Sequence, residues 1–141
     1  MLLRKTFRFE ASHMLSRHSG KCKNLHGHSW VLHVFVEGSI EEETGFVVDF
    51  ADISKWVKTL IDQLDHKHLG EWEIDGQWIP MRPGWKVLEM PENFYPTSEN
   101  LLYWIGTSLF PMRWSKLALE ETCTSYAELT REEFDATRNK S

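Results

Sequence analysis

The sequence has little of what marks several common protein classes. Its 141 residues hold two cysteines, Cys22 and Cys123, too few for a disulfide framework. A reducing compartment, the cytoplasm, is therefore expected. No apolar run approaches the roughly 20 residues of a membrane span, so no membrane partner is expected. Met1 to Lys5 lacks the apolar stretch of a secretory leader, and none is expected. Basic excess is also missing: 16 Lys plus Arg stand against 21 Asp plus Glu, a net charge of −5. That balance leaves no basic stripe for a nucleic acid. Repeats and low-complexity stretches are absent. With 41% hydrophobic and 26% charged residues, the composition excludes disorder and a coiled coil. The length fits one domain over residues 1–141.

Histidine and tryptophan are abundant, seven of each, and five of the histidines fall between His13 and His33. Residues 6–13 alternate apolar and polar, as a half-buried strand does. Residues 26–37 predict a second strand, with His26, His28, Trp30, Leu32, Val34 and Val36 on one face. Residues 50–64 carry a 3.6-residue apolar stripe behind Asp49, a helix with its N-cap. A second helix is expected to begin near Thr97 or Ser98 and to stop at Pro111. Residues 115–122 and 125–129 predict two more strands, and the polar tail from Thr130 predicts fraying or one helical turn. Asp75-Gly76 marks a hairpin turn, and Lys86 to Met90 predicts a short strand. The order is that of an α+β domain.

His26 and His28, two apart on a strand, point to one face. His13 has the parity of the apolar face of the first strand. If the strands pair, three imidazoles converge, and three histidines with a fourth position open is a catalytic zinc pattern. A single histidine is ordinarily just a satisfied core or surface residue, and His18, His33 and His68 are read so. Cys22 lies between Lys21 and Lys23, charges that favour a reactive thiolate; Cys123 is read as structural. Asp65 beside His66 could orient the ring for acid–base work, or His66 could simply complement the helix dipole. Glu121 shares the parity of Leu117 and Leu119, and a carboxylate on an apolar face needs a partner. Ligand N–H groups or a basic side chain would supply it.

Six motifs then point one way. They are Phe9-Glu10-Ala11-Ser12-His13, Cys22-x3-His26-Gly27-His28, Gly45-Phe46-Val47-Val48-Asp49-Phe50, Leu64-Asp65-His66, Pro96-Thr97-Ser98-Glu99-Asn100 and Glu121-Thr122. In this order, from residue 7 to about residue 129, they resemble the 6-pyruvoyl-tetrahydropterin synthase superfamily. The spacing of three between Cys22 and His26 resembles its 6-carboxy-5,6,7,8-tetrahydropterin synthase branch, of the queuosine and 7-deazaguanine pathway. The resemblance implies a tunnelling fold: a four-stranded antiparallel sheet with two helices on one face, oligomerising into a β-barrel as a trimer-based homo-oligomer, usually a hexamer. It implies Zn2+ on His13, His26 and His28, proton transfer by Cys22 with Asp65 and His66, and pterin binding by Glu121, Thr97 and Ser98. The implied reaction is a lyase step on 7,8-dihydroneopterin triphosphate. A pyruvoyl-forming synthase and a non-catalytic zinc or pterin binder are the alternatives. Arg17, Lys21 and Lys23 are a local basic group for the triphosphate, or solvated loop charges. The stretch from Gly70 to Tyr95, with Trp72, Trp78 and Trp85, is longer than in compact relatives and is expected to cover the site or an interface.

Overall fold

The computed structural model describes residues 1–70, 73–74, 77–78, 87–88, 90–91 and 93–140. Two long strands, β1 (Leu2–His13) and β2 (His26–Glu37), pair antiparallel over their whole length, from Leu2 opposite Glu37 to His13 opposite His26. Helix α1 (Phe50–Leu64) follows, and Asp49 caps it by accepting from the Ala51 N–H at 2.7 Å. The chain returns as β3 (Lys67–Leu69), passes through the short strands β4 (Glu73–Ile74), β5 (Gln77–Trp78) and β6 (Val87–Leu88), and enters α2 (Ser98–Ser108). It ends with β7 (Lys116–Thr122), β8 (Ser125–Thr130) and α3 (Arg131–Arg138).

The sheet corrects the expected count. Six strands run in the order β6-β3-β1-β2-β7-β8, and β3 is parallel to both β1 and β6. The sheet is therefore mixed rather than four-stranded and antiparallel. The cause is local: after α1 the chain is tied to β1, Glu10 N–H donating to Asp65 Oδ1 at 2.8 Å and Glu10 C=O accepting from His66 N–H at 2.6 Å. The three residues that follow extend the sheet, too few to leave a periodic signal. β4 and β5 pair antiparallel, Glu73 opposite Trp78 and Ile74 opposite Gln77; Asp75-Gly76, where the turn signal falls, lies outside the described residues. The side chains of Trp72, Trp78 and Trp85 lie outside the described residues.

One face of the sheet carries the core. Phe9, Trp30, Leu32, Val34, Leu117 and Leu119 pack against Ile53, Val57 and Leu64 of α1 and Leu101, Leu102 and Ile105 of α2. A third helix corrects the expected two. The tail is polar, yet Thr130 and Glu133 form a reciprocal capping box at the start of α3, which satisfies two backbone donors that would otherwise fray the turn. Phe134 then enters the core at 1% exposure, 5.2 Å from the Trp114 ring. The opposite sheet face carries a polar network beside the buried Val31 and Ala118: His33 bridges Thr6 at 2.8 Å and Glu120 at 2.7 Å, as its parity predicts.

Among the described residues no helix is long and apolar enough to cross a membrane. Truncating a buried Phe costs about 3–5 kcal/mol, so Phe134→Ala should lower the urea midpoint by that equivalent. A loss below about 1 kcal/mol would mean that α3 contributes little to the core.

Candidate active site

The register of β1 on β2 creates the site. It sets His13 opposite His26 and Ala11 opposite His28, so the three imidazoles gather at one end of the core face, edge-on to one another with centroids 4.6–5.1 Å apart. Trp30 lies edge-on beneath, 5.1 Å from His13 and 5.2 Å from His28. Glu121 reaches the same point from β7. Ligand atoms of His13, His26, His28 and Glu121 all lie within 4.8 Å of one another.

Hydrogen bonding decides which ring atoms face inward. His13 Nδ1 is 2.8 Å from the Pro96 carbonyl and His26 Nδ1 is 2.7 Å from the Asn24 carbonyl. A carbonyl can only accept, so each Nδ1 carries the proton. Each Nε2 then presents a lone pair, unless its ring is cationic, and the two Nε2 atoms are 3.1 Å apart. His28 Nε2 is buried with no hydrogen-bond partner, although Glu121 Oε1 lies 3.2 Å from it and equally 3.2 Å from His13 Nε2. Burial, the largest influence, pulls His28 below the usual imidazole value and favours its neutral form. With His13 and His26 presenting lone pairs and Glu121 a carboxylate, the inward-facing atoms suit a proton on a ring nitrogen or a metal ion. The hydrogen bond with His13 leads the causes that hold the Glu121 carboxyl below its ordinary range, with burial opposing it. Imidazoles fixed by carbonyls through the other ring nitrogen are the usual build of a metal site, so the residues fit a divalent ion.

Among the described residues Glu121 has neither a lysine nor an arginine as partner; besides the two imidazoles, Ser98 Oγ–H donates to its Oε2 at 3.3 Å. Thr97 caps α2, accepting from Asn100 N–H at 3.3 Å. Thr97, Ser98, Glu121 and Tyr126 line a cleft of about 310 Å3. A larger groove of about 670 Å3, between Val36, Trp56 and Met112, lies at the other end of β2. Of these two hollows, only the cleft includes a member of the cluster of metal-ligating side chains in its lining.

The remaining predicted residues lie outside the cluster. Cys22 is half-buried in a single 3-10 turn, Lys21–Lys23, and its carbonyl accepts from Leu15 N–H at 3.0 Å, Leu15 being on the cleft wall. Asp65 Oδ2 holds His66 Nδ1 at 2.8 Å while the His66 side chain stays 77% exposed. His66 also takes a left-handed backbone, φ 57°, uncommon for a non-glycine residue. Arg17 stacks on Tyr95, 3.8 Å from Cζ to the ring centre, and its N–H donates to the Tyr95 hydroxyl at 3.2 Å. Sequence reasoning missed Tyr95 and the Pro96 and Asn24 carbonyls, since a backbone acceptor has no signature. Both ends of the 70–95 stretch meet the site: a Cβ on Gly70 (φ 77°) would lie 2.9 Å from Pro96 carbons, and Tyr95 precedes the carbonyl that holds His13.

The model of the 6-pyruvoyl tetrahydropterin synthase family matches residues 2–132. The chain belongs to this family. A 6-carboxy-5,6,7,8-tetrahydropterin synthase of Rickettsia bellii (strain RML369-C) is 37% identical over 107 residues, 73% of this chain and 75% of that protein. The protein of that name from Haemophilus influenzae is 32% identical over 135 residues, 88% and 94% of the two chains. The 6-pyruvoyl tetrahydropterin synthase of Caenorhabditis elegans superposes with a TM-score of 0.73 at 22% identity, over 92% of this chain and 94% of that one, a likeness of fold. As a member of this family the chain has the expected α+β class, with a mixed six-stranded sheet and three α-helices among the described residues.

The Asp65 carboxyl is held below its ordinary value, first by the Glu10 N–H and then by His66. A depressed carboxyl stabilises the fold above its unfolded pKa of about 3.9 and loses that contribution as pH falls through the lower folded value. Asp65→Asn should flatten the pH dependence of the urea midpoint below about pH 4. An unchanged acid profile would mean that the Asp65 charge does not support this corner.

Proposed function

We propose that the chain is a 6-carboxy-5,6,7,8-tetrahydropterin synthase: a zinc-dependent lyase that converts 7,8-dihydroneopterin triphosphate and water to 6-carboxy-5,6,7,8-tetrahydropterin, acetaldehyde and triphosphate, on the route to queuosine and other 7-deazaguanines. The observation that carries this reading is the inward-facing set of imidazole nitrogens of His13, His26 and His28, with Nδ1 of His13 and His26 tied to carbonyls. The names borne by the relatives support the reaction. Three imidazoles suit zinc, with one position left for substrate. A zinc ion there supplies a Lewis acid that lowers the pKa of a hydroxyl presented to it.

The chain's own residues supply the rest. Glu121 anchors the N–H groups of the pterin, with Thr97 and Ser98 beside it in the cleft. Cys22 transfers protons. Asp65 fixes Nδ1 of His66, leaving Nε2 to exchange a proton. A ring so exposed on its own chain is suited to the site of a neighbouring copy, and this supports a trimer-based homo-oligomer, a hexamer by the family's habit. Closing a barrel would also pair the sheet edges β6 and β8. Arg17 keeps its guanidinium edge available while its face stacks on Tyr95; with Lys21 and Lys23 it receives the triphosphate. The stretch from Gly70 to Tyr95 covers the site or an interface, an assignment supported by its two ends beside Pro96. Two free thiols support a cytoplasmic location.

Mass spectrometry of the products from 7,8-dihydroneopterin triphosphate and the zinc-loaded protein should show acetaldehyde and the 6-carboxy pterin. Triphosphate release without acetaldehyde would reassign the chain to pyruvoyl-forming chemistry. Two variants separate metal from thiol. His28→Ala should lose zinc by elemental analysis, whereas Cys22→Ala should keep it and lose turnover by about 10²–10⁴-fold, the usual worth of acid–base catalysis. Zinc loss in Cys22→Ala would make the thiol a ligand and refute the three-histidine site.

A further inference from the structure

Glu121 belongs to two places at once. Its Oε1 stands 3.2 Å from the Nε2 atoms of both His13 and His28, while the residue also lines the cleft beside Ser98. An ion held by all four side chains would have no protein-free position, which is the build of a structural zinc site; catalytic sites keep one position open for substrate. One carboxylate oxygen cannot stay in that cluster and also leave the position open. The backbone at this point permits a change. Glu120 pairs with Tyr126 and Thr122 with Ser125, so Glu121 falls in a bulge of the β7–β8 ladder. Bulges beside active sites re-aim a side chain without breaking flanking pairs. Restraint on the other oxygen is slight: Ser98 Oγ–H reaches Oε2 at 3.3 Å, a long bond for two oxygens.

We infer that Glu121 is a substrate-operated gate: its carboxylate is the fourth metal ligand until the N–H groups of a pterin ring draw it into the cleft and free the metal position for the substrate's hydroxyls. This rests on the metal site proposed above and adds the order of events at it. Pterin recognition and opening of the metal are then one motion, and a ligand that lacks the pterin edge meets a closed site.

The test uses the full chain loaded with Co2+, whose visible spectrum reports its ligands, with azide as a small probe of the free metal position. Unsubstituted pterin, which has no side chain to reach the metal, serves as the gate-opening ligand. In the unmodified protein pterin should tighten azide binding, by about 5–150-fold if the coupling is of ordinary size. Glu121→Gln and Glu121→Ala should bind azide in the tightened range without pterin. Two variants of different size, each checked for Co2+ uptake, guard against misfolding, and the measurement on the unmodified protein needs neither. Equal azide affinity in the unmodified protein and both variants, with no effect of pterin, would overturn the gate while leaving the metal site intact. Failure of the unmodified protein to take up Co2+ would overturn the metal site itself.

Discussion

The register between β1 and β2 is the constraint on which the site depends. Side chains alternate across a strand, so a slip of one residue would send every inward side chain of that strand to the other face. Here the register that sets Phe9 opposite Trp30 also sets His13 opposite His26. Apolar burial of Phe9, Trp30, Leu32 and Val34 therefore holds three imidazoles in place without any contact among them being favourable by itself. Trp30 joins the two functions. Its indole N–H donates to the Ala11 carbonyl at 3.1 Å, and its ring closes the apolar side of the cluster.

The same alternation divides the chemistry of the two faces. The helix-covered face ends in the imidazoles and Glu121, a group that could hold a metal ion. The open face pairs its polar groups internally, as in Thr6, His33 and Glu120, or Ser29 donating to Glu10 at 2.7 Å. Glu10 and Glu120 are thus engaged away from the imidazoles, and Glu121 is the carboxylate that joins them. Alternation along β7 lets the neighbouring Glu120 and Glu121 serve opposite faces.

Much of this was legible in the sequence because the long elements are strongly periodic. β2 and α1 have the bounds that alternation and the 3.6-residue stripe predict, and the convergence of His13, His26 and His28 follows from parity once β1 and β2 pair. Short or uncovered elements escaped. β3 has three residues and is placed by Asp65 and His66 bonding to Glu10, a tertiary effect. α3 looked like a frayed tail because its mean hydropathy is low, yet one Phe and a capping box suffice. Glu121 was recognised as a carboxylate in want of a partner. That its partners are imidazoles follows from where β7 lies beside β2, which no local pattern encodes.

The bonds that shape His13 differ greatly in the length of chain they close. Its approach to His26 spans 13 residues, whereas its bond to the Pro96 carbonyl spans 83. Loop-closure entropy makes the longer one costlier by about 1.6 kcal/mol before any reward from packing, and local pairings form ahead of distant ones. A hairpin of β1 and β2 thus brings the imidazoles together while His13 can still carry its proton on either nitrogen. Arrival of Pro96 with α2 selects the tautomer. The distant Pro96 carbonyl, and not the finished hairpin alone, thus decides which nitrogen of the ring faces the cluster.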